Sequence, residues 1–114
     1  MNIIVVDDKI SLEELRKIGK EFYTGMIKGV ADIERRIVAF GGQYHIDANM
    51  ILIENGSEQK NLWGFNVNFD EPKDSWIEYT SLINIRPAVG NKNMEVQDKN
   101  IREKMKKIIN SKIV

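Results

Sequence analysis

Two polar constellations in this chain have the residue types that acid–base and anion-binding chemistry need. His45 and Asp47 stand two apart, shortly after Gly41-Gly42. A carboxylate beside an imidazole can orient the ring and raise its basicity, which is half of a general-base site. The glycines would let a substrate approach the backbone. The second constellation is a row of Asn66, Glu78, Thr80, Asn84 and Arg86. Glu can serve as acid or base, Arg as an anion clamp, and Asn as donor and acceptor at once. Asn91 follows in Gly90-Asn91-Lys92, where backbone N–H groups can cradle an anion. The candidate pocket is therefore His45, Asp47, Glu78, Asn84, Arg86 and Asn91, led by Arg86. Each member also has an ordinary structural role: a solvated sheet face, an exposed loop histidine, or Arg86 paired with Glu78, Asp47 or Glu34.

These groups need strands and turns to position them. Ile3 to Val6 is an apolar run without alternation, as in an internal strand buried on both faces and parallel to its neighbour, the strand of Ile83 and Ile85. Ser11 and Glu14 form a capping box, and Leu12, Leu15, Ile18 and Phe22 give a helix one apolar face. Met26, Val30 and Ile33 extend that stripe and predict more helix to about Arg35, weakened by Gly19, Gly25 and Gly29. Strands follow at 37–40 and 50–54, with Asn55-Gly56 as a turn and His45 and Asp47 in the connection. Trp63, Phe65, Val67 and Phe69 alternate with Gly64, Asn66 and Asn68, and residues 75–86 alternate again after the Pro72 turn. Pairing about that turn sets Asn66 opposite Glu78, Asn68 opposite Trp76 and Gly64 opposite Thr80. Asp98 caps a last helix with Ile101, Met105, Ile108 and Ile109 on one face. The sum is a single α+β domain spanning 1–114, with a largely antiparallel sheet of about five strands and two main helices, in the order β-α-β-β-β-β-α. The core should include Ile4, Leu15, Ile18, Phe22, Phe65, Val67, Ile83, Ile85, Met105 and Ile108.

Composition removes several functions. The 114 residues include 17 basic and 17 acidic side chains, one His and no Cys. No thiol chemistry, disulfide or Cys-based metal centre can be built, and a lone His excludes two-His metal motifs. No cofactor is implied. Zero net charge argues against nucleic acid as a partner. The last helical stretch is basic, yet its Arg102, Lys104, Lys106 and Lys107 are spread around it without interleaved aromatics. No apolar run reaches the ~20 residues of a membrane span, which points to a soluble cytoplasmic protein.

The opening strand with Asp7-Asp8 resembles a response-regulator receiver domain, whose paired acids bind magnesium. That resemblance fails further on. The strand that should end in Asp ends in Glu54, Arg86 stands where Lys is required, and 37–86 read as strands joined by turns. A second resemblance covers most of the chain. It rests on Asp32-Ile33-Glu34-Arg35, Gly41-Gly42 with His45-x-Asp47, Gly56-Ser57-x-Gln59 and Leu62-Trp63-Gly64-x-Asn66. It continues through Trp76-Ile77-Glu78, Ile83-Asn84-Ile85-Arg86-Pro87, Gly90-Asn91 and Ile101-Arg102-x-Lys104. In these the chain is similar to short, uncharacterised prokaryotic proteins grouped as a domain of unknown function. The resemblance implies an α+β fold and an intracellular prokaryotic source, and it brings no activity or cofactor.

Two functional classes stay open. One is a non-enzymatic module binding a protein or a small polar ligand, with a homodimer as an option if Trp63 or Trp76 is exposed on the sheet. The other is a small hydrolase with His45 or Glu78 as general base. The first is favoured because no nucleophile elbow, phosphate loop or two-carboxylate motif occurs.

Overall fold

The computed structural model describes residues 1–114. Strands β1 (Ile3–Val6), β2 (Met26–Asp32), β3 (Ile37–Gly41), β4 (Leu62–Asn68) and β5 (Ile77–Glu78) form one sheet in the order β1-β3-β2-β4-β5. All four pairings are antiparallel. Helices α1 (Leu12–Gly19) and α3 (Lys99–Lys112) pack on one face. Helix α2 (His45–Glu54) packs on the other. The architecture is α+β, as the residue pattern implies. The two ends of the chain meet beside the sheet, where Ile10 N–H donates to Lys112 O (2.7 Å) and Val114 N–H donates to Ile10 O (2.9 Å).

The larger apolar cluster lies between the sheet and α1 with α3, and includes Leu15, Phe40, Phe65, Val67, Met105 and Ile109. Its centre depends on a missing side chain. Gly29 on β2 pairs with Phe40 on β3 and with Phe65 on β4. The two rings meet edge to face above it, with centroids 5.8 Å apart. A Cβ on Gly29 would stand 2.4 Å from Phe65 Cζ. The smaller cluster, with Val30, Ala39, Ala48, Leu52 and Leu62, lies under α2.

Having both faces covered explains where periodicity misleads. Residues 26–32 form a strand, not helix, because Ile27 and Ala31 face one cluster and Val30 faces the other. The spacing of Met26, Val30 and Ile33 is helical only by coincidence. β1 is an edge strand antiparallel to β3, not an internal one parallel to the segment of Ile83 and Ile85. Its apolar run arises because Ile4 and Val6 pack on the α1 side and Ile3 and Val5 on the α2 side. Residues 50–54 end helix α2. Asn55-Gly56 is its C-terminal cap, with Gly56 at φ +96°, Gly56 N–H donating to Ile53 O and Ser57 N–H to Leu52 O, both 3.0 Å. The long strand at 75–86 shrinks to β5, followed by single 3₁₀ turns at Leu82–Asn84 and Pro87–Val89.

Leu15, Phe65, Val67, Met105 and Ile108 are buried, while Ile4, Ile18 and Ile83 pack partly buried against the clusters. Phe22 and Ile85 leave the core, at 38% and 41% exposure, because neither lies in the helix or strand assumed for it. Trp63 and Trp76 are both buried, so no exposed tryptophan offers a dimer contact.

Gly29→Ala should therefore lower stability by about 1–3 kcal/mol, since the added methyl must displace the Phe65 ring. Urea unfolding of the two proteins reads this directly. An unchanged midpoint would mean that the Phe40–Gly29–Phe65 packing is wrong.

Candidate functional site

The register of three strands builds a polar row on the α2 face. Lys28 pairs with Asn66, and Asn66 pairs with Glu78, as the turn at Pro72 implies. Asn68 N–H donates to Trp76 O (2.8 Å), which fixes the same register. Asn66 Nδ2 donates to Glu78 Oε1 at 2.7 Å, so the amide stands between a cation and a carboxylate.

Helix α2 brings His45 onto this row as its first residue, with Tyr44 as N-cap. The ring is buried, and Nε2 lies 2.8 Å from Phe65 O. A carbonyl oxygen only accepts, so Nε2 holds the proton and Nδ1 keeps its lone pair. Nδ1 has no protein partner and is not sealed from solvent. Burial pushes the imidazole down to about 4, with Lys28 acting in the same direction. The Phe65 carbonyl, Asn66 and Glu78 oppose that shift. Asn66 is thus close enough to influence the ring, yet its buried Oδ1 has no well-aligned donor. Burial also lowers Lys28, and Glu78 resists.

Over the row opens a cavity of about 390 Å³. Lys28, His45 and Asn66 line it together with Thr80 and Ser81. Tyr44, Ile46, Leu82, Ile83 and Met94 supply its apolar lining. Tyr44, Ile46, Leu82 and Met94 are exposed at its rim. Of these residues, the sequence reading had singled out His45, Asn66 and Thr80 for chemistry. Lys28 was missed because 26–35 read as helix. The rim residues Tyr44 and Ile46 escape the sequence reading because the stretch around His45 and Asp47 reads as a loop connection, not as the start of a helix.

The other members of the six-residue constellation engage the backbone. Asn84 is fully buried; its Oδ1 accepts from Gly64 N–H (2.8 Å), and its Nδ2 donates to Gly64 O (3.0 Å) and Met94 O (3.1 Å). Asn91 Nδ2 donates to Asn84 O, Asn93 O and Glu95 O, while its Oδ1 accepts from Gln97 N–H. Arg86 forms no ion pair with Glu78, Asp47 or Glu34. Its guanidinium donates to the carbonyls of Ile83, Lys60 and Leu62 and stacks on Trp63, 4.2 Å from the ring centroid. Asp47 does not bond the His45 ring. Its Oδ2 accepts from Tyr44 N–H (3.1 Å) and closes the first turn of α2. The cavity over the row thus contains His45 and has Glu78 bonded to its lining residue Asn66, whereas Asp47, Asn84, Arg86 and Asn91 are not among its lining residues.

Asp32 is also buried at a strand end. Its Oδ1 accepts from the N–H groups of Glu34 and Arg35 and shapes the β2–β3 turn. No three carboxylate or imidazole groups converge anywhere in the structure. No helix is long and apolar enough to cross a membrane.

Two substitutions test the scaffold. Arg86→Gln should cost about 1–3 kcal/mol through lost carbonyl bonds and ring stacking. Asn84→Asp should cost more, because a carboxylate would face two carbonyl oxygens in place of a donor. Thermal unfolding of both variants reads the order, and a neutral Arg86→Gln would contradict the clamp.

No curated protein and no solved structure matches the chain. A family model described as "Protein of unknown function (DUF5674)" matches residues 4–112, nearly the full length, and the chain belongs to that family.

Proposed function

We propose that this chain is a non-enzymatic binding module whose α2-side cavity takes a small, partly apolar ligand with polar groups at one end. The observation that supports it most is His45. A neutral imidazole with a free Nδ1 lone pair lines a cavity half of whose lining residues are apolar. Nδ1 accepts a ligand N–H or O–H, and Lys28 donates to a ligand oxygen. Ile46, Leu82 and Met94 cover the ring or chain that bears these groups.

The alternative reading, a hydrolase with His45 or Glu78 as base, fits less well. A base works best with a pKa near the working pH, and His45 lies near 4. Glu78 Oε1 already accepts from Asn66. Ser81 Oγ, a hydroxyl of the cavity lining, accepts from Ile83 N–H and shapes a 3₁₀ turn.

Indole and benzoate probe the two halves of the site, one with an N–H donor and one with a carboxylate. Each should cause saturable amide shifts around Lys28, Tyr44, Ile46, Asn66 and Leu82, with affinity on the order of 1 mM as expected for a fragment. Leu82→Glu should abolish them without harming the fold, because Leu82 is 74% exposed. Absent shifts, or shifts that survive Leu82→Glu, would refute the proposal.

A further inference from the structure

A second cavity, of about 440 Å³, lies between the β2–β3 turn and one face of α3. Arg36 comes from the turn, and Lys104, Lys107 and Lys112 come from the helix. The three lysines and Ile108 fall at helical steps of three, four and eight residues, so they share one stripe. Ile33 and Ile108 are the apolar part of the lining, and no carboxylate reaches it. Glu103 lines a different cavity with Lys73 and Tyr79, and Asp98 is spent on capping α3.

We propose that this cavity is an anion site for a small phosphate-bearing molecule, such as a phosphate ester or pyrophosphate. Four cations share it in a chain whose net charge is zero. None of the four forms an ion pair within the protein. Like charges gathered without counter-charges oppose folding, and a bound anion relieves them. The helix dipole accounts for a cation in the last turn, which here is Lys112, and not for Lys104 or Arg36. Lys112 is anchored, its Nζ donating to Asp7 O at 2.5 Å.

Arg36 adds an independent observation. It is the one non-glycine residue at positive φ, +58°, and its side chain makes no hydrogen bond or ion pair in the protein. The left-handed φ belongs to the last position of the β2–β3 turn, where Arg36 N–H donates to Asp32 O at 2.9 Å, and the exposed guanidinium is left free to meet an anion. The volume suits one or two phosphate groups with a small organic part. No aromatic residue lines the cavity for base stacking, which favours a small anion over a nucleic-acid strand.

Inorganic pyrophosphate is the probe, titrated at about 20 mM ionic strength, where screening is weak. Saturable amide shifts are expected at Arg36, Lys107 and Ile108. Lys107→Gln and Arg36→Gly should each weaken binding about tenfold, the effect of one charged hydrogen bond. Arg36→Gly should keep or raise the melting temperature, because glycine relaxes the positive φ. That separates lost binding from lost folding. Three results would overturn the proposal: no saturation by about 1 mM pyrophosphate, affinity in both variants equal to that of the unaltered chain, or a short single-stranded oligonucleotide binding the same residues without competition from pyrophosphate.

Discussion

Strand β4 sits inside the sheet, but β5 pairs with only part of its outer edge. β5 reaches Asn66 and Val67 and then ends. Strand alternation turns the N–H and C=O of Gly64 toward that same edge, where no further strand residue meets them. A buried strand cannot leave those groups unpaired without a cost of about 1–3 kcal/mol each. The Asn84 carboxamide takes the place of a strand, accepting from Gly64 N–H and donating to Gly64 O. A side chain on Gly64 would collide with Ser81, since a Cβ there would lie 2.5 Å from Ser81 Cβ. Much of the 80–97 segment hangs from this contact. Asn91 ties Asn84 to the carbonyls of Asn93 and Glu95, and Arg86 fastens the same segment to the start of β4. With little regular secondary structure of its own, the segment is ordered by three side chains.

That arrangement fixes the candidate site from one side. Ser81, Leu82, Ile83 and Met94 line the cavity because Asn84 holds their segment against β4. The other side is fixed by α2, whose start is closed by Asp47 and whose end is closed by the Gly56 cap. Between them lies the row of Lys28, Asn66 and Glu78. A carboxylate and an ammonium on one partly buried sheet face would ordinarily meet. Here an amide separates them, and no ion pair forms between Lys28 and Glu78. The consequence is a local surface that can accept and donate without a large net charge.

Much of the fold was legible in the residues. The Asn66–Glu78 pairing, the cap at Ser11, the last helix and the α+β class all follow from local spacing and turn chemistry. What was lost at β1 and β2 traces to one fact: helices cover both sheet faces, so neither strand shows a clean period of two. Short apolar runs of that kind read equally as helix or strand. Gly29 within 26–32 and Gly25 just before it were the signal against helix, since each weakens a helix interior. Asn55-Gly56 suits a hairpin and a helix end alike, and only the ten-residue length of α2 decides. The site was legible only in part. Asn84, Asn91 and Arg86 have the chemistry of a binding pocket, but polar side chains are also what a segment poor in regular structure needs for its backbone. Sequence does not distinguish the two uses, because the carbonyl partners of these residues lie across the fold.

His45 ties the scaffold to the proposed function, because its neutral form comes from burial and its tautomer from the Phe65 carbonyl. It is the chain's single histidine, so its ring gives one unambiguous set of NMR signals. A pH titration of those signals from 7.5 downward is the most direct measurement. The folded ring should stay neutral and protonated at Nε2 as pH falls through 6.5, with its midpoint near 4. Because the unfolded chain takes up that proton first, stability should also decline as pH drops from 6.5 toward 4. A midpoint near 6.5 would show a solvated ring and would contradict the account.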